Sequence, residues 1–177
     1  KILKEHLGLS CVRGYDLYQG INVQKRGATA LLNARLLPVM DNFFDAIEES
    51  LGEMGIDLPM VIMKSDGSVM SRDYARKRPV ETLLCGPAAS VIGAMELAKA
   101  EDAMIIDMGG TTSDIALMQN GKTVSSLSGI RIGNWATMVK GISIDTFALG
   151  GDSGIKYKNG ILYLDERRVI PLCILAD

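Results

Sequence analysis

Histidine is almost missing: His6 is the one histidine in 177 residues. This argues against a histidine-based catalytic triad or a zincin motif, and His6 itself is read as a surface residue near a chain end. Cysteine is scarce and scattered. Cys11, Cys85 and Cys173 are odd in number and never spaced as CxxC, which suits reduced thiols in a cytoplasmic protein and offers no iron–sulfur or zinc site of this chain's own. An excess of one charge is lacking too, with 19 Lys and Arg against 21 Asp and Glu. No field then draws nucleic acid or an anionic membrane, and the single dense basic cluster, Arg76-Lys77-Arg78, is expected to be solvated surface. No apolar run is long enough to span a bilayer, so no membrane partner is expected.

What is abundant is small or adaptable: nineteen glycines and ten methionines in a chain that is 47% hydrophobic but 5% aromatic. That composition suits a cytoplasmic α/β protein better than a β-rich secreted one, and the length allows one domain's core or two small lobes. The chain starts at Lys1 without an initiator Met and stops at Asp177 straight after the apolar run Pro171 to Leu175. It is therefore expected to be an internal piece of a longer polypeptide.

The segment ATALLNARLLPVMDNFFDAIEESLGEMG places Leu32, Leu36, Met40, Phe43, Ile47, Leu51 and Met54 on one helical stripe. Pro38 predicts a kink, or a break into two helices near Leu37, and Gly55 predicts the end. Met60 to Lys64 reads as a strand running into a turn at Asp66-Gly67. Gly86-Pro87 is a good helix start, rich in small residues thereafter. Ala103 to Ile106 reads as a buried strand ending in Asp107, and Asp114 to Met118 as a second strand. Asn120-Gly121 then turns the chain back into Thr123 to Leu127. Met138 to Ile144 is expected to be antiparallel, and Asn159-Gly160 marks a further hairpin. Met54, Met60, Met63, Met70, Met95, Met104 and Met108 are read as core filler and Trp135 as filling a hydrophobic gap, while Glu81 could reach a cleft or stay solvated.

Between Asp107 and Asp114 the chain reads DMGGTTSD. Gly109 and Gly110 can take positive φ and let the backbone press on a bulky anion, with successive N–H groups converging on it. Thr111, Thr112 and Ser113 add hydroxyl donors, and an aspartate at a strand end can hold Mg²⁺ through its waters; Asp107 is the candidate. The plain alternative is a tight turn whose aspartates cap loop amides. Placement between two strands excludes both a Walker loop and a dinucleotide GxGxxG, and phosphate binding is the favoured reading. A second glycine loop, SIDTFALGGDSG, carries Asp145, Asp152 and Ser153. Alone, it reads equally well as an ordinary loop.

At these residues the chain resembles the actin, heat-shock chaperone and sugar-kinase ATPase superfamily. More closely it resembles the A-type subunit of the hydantoinase/oxoprolinase family. The resemblance rests on Arg26, Thr29, Asn33-Ala34 and Pro38, then Ser65 and Gly67, then PVETLLCGPA from Pro79 to Ala88, then DMGGTTSD, in order through roughly Arg26 to Gly154. Cys85 stands where that family usually has Ser, Ala89-Ser90 where it usually has Gly-Gly, and ALGGDSG where a richer glycine run is usual. The proline- and cysteine-containing segment of the family is replaced by DERRVIPLCILAD.

The resemblance implies an α/β, ribonuclease H-like ATPase lobe, a mixed sheet with antiparallel hairpins flanked by helices. Residues 1–80 would form a helix-rich connecting part and 81–177 the lobe with the second phosphate loop, the first lying elsewhere in the full protein. It further implies ATP and Mg²⁺ as cofactors, a small cyclic amide as substrate, phosphoryl activation of its oxygen, and a B-type partner subunit. Gly109, Gly110, Thr111 and Thr112 would contact phosphate, and Asp107 the metal through water. Asp114 would orient the turn or the metal's waters, with Gly150, Gly151 and Ser153 near the nucleotide. The chain alone would be inactive. A kinase, or an ATPase activator of a radical dehydratase, keeps the same fold, although an activator should supply better-spaced cysteines. A non-catalytic scaffold is the third alternative.

Overall fold

The computed structural model describes residues 2–8, 11–126, 128–170 and 174. The chain divides into two units that interleave in sequence, Lys1–Ala89 with Ser125–Ile142, and Ser90–Val124 with Ser143–Asp177.

The first unit opens with α1 (Ile2–Leu7), α2 (Gly14–Leu17) and the long α3 (Val23–Glu53). α3 starts ahead of the predicted stripe because Asn22 caps it, its side chain accepting from Lys25 N at 2.9 Å. Contrary to the expected break, the helix continues through Pro38. A proline removes one backbone bond, but Thr29 and Asn33 before it and Phe44 after it are buried, so packing holds both halves helical. Leu32, Leu36, Met40, Ile47 and Leu51 are half-buried as the stripe requires, whereas Phe43 and Met54 are exposed and the buried aromatic is Phe44. The helix ends at Gly55 as predicted: φ is +68°, Gly55 N donates to Gly52 O at 3.0 Å, and Ile56 N donates to Leu51 O at 2.9 Å. These are the paired bonds of a Schellman cap.

β1 (Val61–Met63) and β2 (Val69–Ser71) form an antiparallel hairpin with Ile62 opposite Met70. Its turn is carried by Gly67 at φ +81° and by Asp66 Oδ1, which accepts from Ser68 N at 3.0 Å and Ser68 Oγ at 2.6 Å. α4 (Arg72–Lys77) and a 3-10 turn over Pro79–Thr82 lead into α5 (Cys85–Ala98), which begins one residue ahead of Gly86-Pro87. Then follow β3 (Ala103–Met108), β4 (Ser113–Gln119), β5 (Lys122–Thr123), β6 (Ser125–Ser126), β7 (Arg131–Ile132), β8 (Trp135–Ala136), β9 (Gly141–Ile142), β10 (Ile144–Phe147), β11 (Ser153–Lys158) and β12 (Ile161–Arg168). Two small cores sit in the first unit. One is Phe44, Met70 and Ala75 with Met40, Met60 and Ile62 against it, and the other is Val80, Ile130 and Val139 with Tyr18, Leu32, Leu83 and Ile132.

Two members of the basic cluster are not the solvated surface that was expected, although Lys77 is exposed. Arg76 reaches back to α3, at 3.2 Å from Asp41, 2.5 Å from Asp45 and 3.5 Å from Glu48. Arg78 pairs with Glu81 at 3.0 Å and lies over the rings of Tyr18 and Tyr74. Glu81 is only 6% exposed and accepts from Tyr18 Oη at 2.5 Å, so it serves the interior. Burial first, and then the bond to Glu81, push the Tyr18 phenol well above its ordinary range.

In the second unit β4 is flanked by β3 on one side and by β10 and β5 on the other, all antiparallel. β11 and β12 form a separate hairpin. Both Asn-Gly pairs make two-residue turns with left-handed φ at each position, +51° and +68° for Asn120-Gly121, +53° and +81° for Asn159-Gly160. The single antiparallel stretch expected over Met138 to Ile144 is divided instead: β9 pairs with β6, and β10 with β4. Met70 is core as expected, but Met104 and Met108 are exposed, as is Trp135 in the β7–β8 hairpin. Leu127, Cys173 and the run 171–175, apart from Ile174, lie outside the described residues. No described helix is long and apolar enough to cross a membrane.

Candidate functional site

The turn between β3 and β4 consists of Gly109 to Thr112 and is closed by Gly109 N donating to Thr112 O at 2.9 Å. β3 supplies Asp107 and β4 supplies Asp114, and the two are direct cross-strand partners; Thr146 of β10 is in turn opposite Asp114. Direct partners share a face, so Asp107, Asp114 and Thr146 form one row at the turn end of the sheet. Thr146 Oγ1 donates to Asp114 Oδ1 at 2.5 Å. Both aspartates are half-buried. Two carboxylates directly opposite each other are unfavourable by themselves, and the Thr146 hydroxyl relieves only one of them. A cation would relieve both.

The second glycine loop lies on the first. Gly151 N donates to Gly109 O at 2.9 Å and Asp152 N to Gly110 O at 2.8 Å. Ser113 Oγ donates to Leu149 O at 2.6 Å, and Ser153 Oγ accepts from Gly150 N at 2.9 Å. This contact gives the glycines a different reason from the one the sequence suggests. Neither Gly109 nor Gly110 has positive φ. Instead, a Cβ on Gly150 would stand 2.5 Å from Gly110 O and 2.6 Å from Thr111 N, and one on Gly110 would stand 3.0 Å from Asp152 Oδ2. At Gly150 backbone presses on backbone and only hydrogen fits at Cα, whereas the atoms nearest Gly110 belong to a side chain.

With these bonds assigned, the N–H groups of Gly110, Thr111 and Thr112 have no acceptor among the described residues. Three successive unpaired amides and two threonine hydroxyls thus stand at the head of an acidic row, a donor set suited to an anion that arrives with a cation. All nine residues singled out in the sequence, Asp107, Gly109, Gly110, Thr111, Thr112, Asp114, Gly150, Gly151 and Ser153, lie in these two touching loops and the strand ends beside them. Their available groups differ. Gly151 N is already used to fasten the second loop to the first, and Ser153 Oγ is used within the second loop. Thr146 was not foreseen, since only the β4–β10 register puts it beside Asp114. Asp145, one residue earlier, falls on the opposite face of the sheet. Among the described residues, no group of three or more His, Cys, Asp or Glu could hold a metal by itself.

Similarity to known proteins extends along most of the chain. The caprolactamase subunit alpha of Pseudomonas jessenii is 29% identical over 147 residues, which is 79% of this chain and 20% of that one. An uncharacterized protein of Methanocaldococcus jannaschii is 30% identical over 112 residues, covering 62% of this chain and 16% of that one. The crystal structure of the ATP-dependent caprolactamase from P. jessenii superposes over 88% of this chain and 23% of its own, with a TM-score of 0.70 and 26% identity. A nucleotide-free acetone carboxylase shares the fold, with a TM-score of 0.67 at 20% identity over 88% of this chain and 22% of that one. The chain thus spans about a fifth of the length of these relatives. The expected fold class, an α/β lobe with antiparallel hairpins and flanking helices, is the one these structures share, although every strand pairing among the described residues is antiparallel where a mixed sheet was expected. The family model for hydantoinase/oxoprolinase matches residues 26–169, and the chain belongs to that family.

Proposed function

We propose that the full-length protein containing this chain is an ATP-dependent hydrolase that opens a small cyclic amide, with the Gly109–Thr112 turn as its second phosphate-binding loop. The observation that carries this reading is the set of three unpaired amides at Gly110, Thr111 and Thr112 beside the opposed carboxylates of Asp107 and Asp114. The amides and the two threonine hydroxyls would hold phosphate oxygens, and Gly109 lets the turn close. Asp107 would hold Mg²⁺ through water, and Asp114, fixed by Thr146, would orient that water. Hard carboxylate oxygens in a site without a full set of protein ligands suit Mg²⁺, which keeps several waters and takes the rest of its shell from phosphate. Gly150, Gly151 and Ser153 would act near the nucleotide by buttressing the turn.

Bound ATP supplies the phosphoryl group that turns the oxygen of an unreactive amide into a leaving group. The share of this chain is to fix the phosphates in place and to set preorganised donors where negative charge develops. A relative named as a caprolactamase supports a lactam-like substrate, and its name as an alpha subunit supports a partner of the B type. Within the expected lobe over 81–177, the unit of Ser90–Val124 with Ser143–Asp177 would bear this loop, with the other phosphate loop supplied elsewhere in the full chain. A cytoplasmic location accords with the dependence on ATP.

The test is calorimetric titration of the full-length protein with ATP in the presence of Mg²⁺, for the wild type and for Asp107→Ala. Binding by the wild type that the variant loses, together with ADP release on addition of a lactam, is the expected result. Unchanged binding by Asp107→Ala would reduce the turn to architecture.

A further inference from the structure

Asp152 is the acidic residue between β10 and β11, and the roles above leave its side chain unused. Its backbone is committed: N donates to Gly110 O at 2.8 Å, and O accepts from Val169 N at 2.8 Å. Its carboxylate has no hydrogen bond or ion pair among the described residues and is only half-buried. It is nevertheless closely placed. Measured from where a Cβ on Gly110 would be, Oδ2 lies at 3.0 Å, Cγ at 3.4 Å and Oδ1 at 3.6 Å. A full negative charge is thereby held against the first of the three residues whose amides are unpaired. Among the described residues no cation pairs with it: Lys156 is paired with Asp165 at 2.5 Å, and Arg168, opposite the adjacent Ser153, makes no ion pair to it.

An anion site with a carboxylate at its edge is a contradiction unless the anion brings positive charge with it. We propose that Asp152 is a specificity-determining residue, which makes the turn accept a polyphosphate as its divalent-cation complex and reject the same polyphosphate without metal. This rests on the reading of the turn as an ATP phosphate loop. The physical basis is charge. Metal-free ATP would bring its full negative charge up to Asp152, Asp107 and Asp114 together, whereas the complexed form presents a cation to the same three groups. Asp107 and Asp114 face each other across β3 and β4, while Asp152 approaches from the other loop, so its contribution is separable by substitution.

The experiment uses the full-length protein, titrated calorimetrically with ATP in excess Mg²⁺ and with ATP in EDTA, for the wild type, Asp152→Asn and Asp152→Gly, with melting temperatures recorded for all three. Removing one unit charge at this range should strengthen metal-free ATP binding by at least about tenfold while altering the Mg²⁺ complex by less than about threefold. Both variants should behave alike, since the effect is the loss of charge and not the shape of the replacement. An unchanged ratio of the two affinities in both variants would overturn the proposal. So would loss of Mg²⁺-ATP binding at an unchanged melting temperature, which would make Asp152 a ligand in its own right. If the wild type binds ATP in neither condition, the ATP reading itself fails and this inference goes with it.

Discussion

A single hydrogen at Cα decides whether the two glycine loops can meet. Gly150→Ala would drive a methyl into Gly110 O and Thr111 N, both backbone atoms that cannot swing away. It should cost about 1–3 kcal/mol and weaken nucleotide binding, because the turn moves with its buttress. Gly93→Ala in α5 meets nothing within 4 Å and should instead gain about 0.5–1 kcal/mol. Differential scanning calorimetry of the full-length variants checks both signs. Tyr18 offers a pH-dependent test. Its folded phenol is raised above the ordinary value, by burial and by Glu81. Below about pH 10 both folded and unfolded states keep the proton, and the stabilisation is complete. Above it the unfolded state releases a proton that the folded state retains, so stability falls as pH rises. Tyr18→Phe should therefore be less stable than the wild type by about 1.5–3 kcal/mol at neutral pH, the scale of a hydrogen bond to a charged group. The gap should narrow as unfolding is followed above about pH 10. At this scale the aspartates and glycines were legible because they are neighbours in sequence. Glu81 was not, because its burial depends on Tyr18, distant in the chain, and Thr146 was not, because nothing local announces a cross-strand partner.

Elements announced themselves where the signal was local. Gly55 and the two Asn-Gly pairs stop or turn the chain by their own backbone preferences, and each appears where the sequence puts it. The split of residues 138–147 into β9 and β10 was hidden, because the partners β6 and β4 decide it and lie far back in the chain. Pro38 misled in an informative way. Its ring and its missing N–H argue for a break, yet buried neighbours on both sides keep α3 helical. Pro38→Ala, at an exposed position, should stabilise the protein by up to about 3 kcal/mol, visible as a higher melting temperature. No gain would mean that α3 has already adapted to the ring at no cost.

The described residues leave two apolar faces exposed. Opposite the aspartate row, the sheet presents Met104, Ile106, Met108, Leu117 and Phe147, all at least 44% exposed. One face of the β11–β12 hairpin presents Ile155, Tyr157, Leu162 and Leu164. Patches of this kind associate. Prepared alone, the 177-residue chain should scatter light as oligomers and bind a hydrophobic dye, whereas the full-length protein should do neither; a monodisperse, dye-negative fragment would contradict this. The family was legible at this scale because several weak motifs occur in one fixed order, although the interleaving of two units was not, since it is a property of contacts between distant segments. The two Asn-Gly turns that set the hairpin registers also give the chain a chemical clock. In such a pair the glycine amide nitrogen can attack the asparagine side-chain carbonyl and expel ammonia, and water then opens the resulting cyclic imide to isoaspartate, which lengthens the backbone and undoes a two-residue turn. At Asn120 that nitrogen is occupied, because Gly121 N donates to Glu101 O at 2.7 Å, while Gly160 N has no such acceptor among the described residues. Ageing of the protein should therefore begin at Asn159, and the sheet that carries the aspartate row should outlast the hairpin beside it.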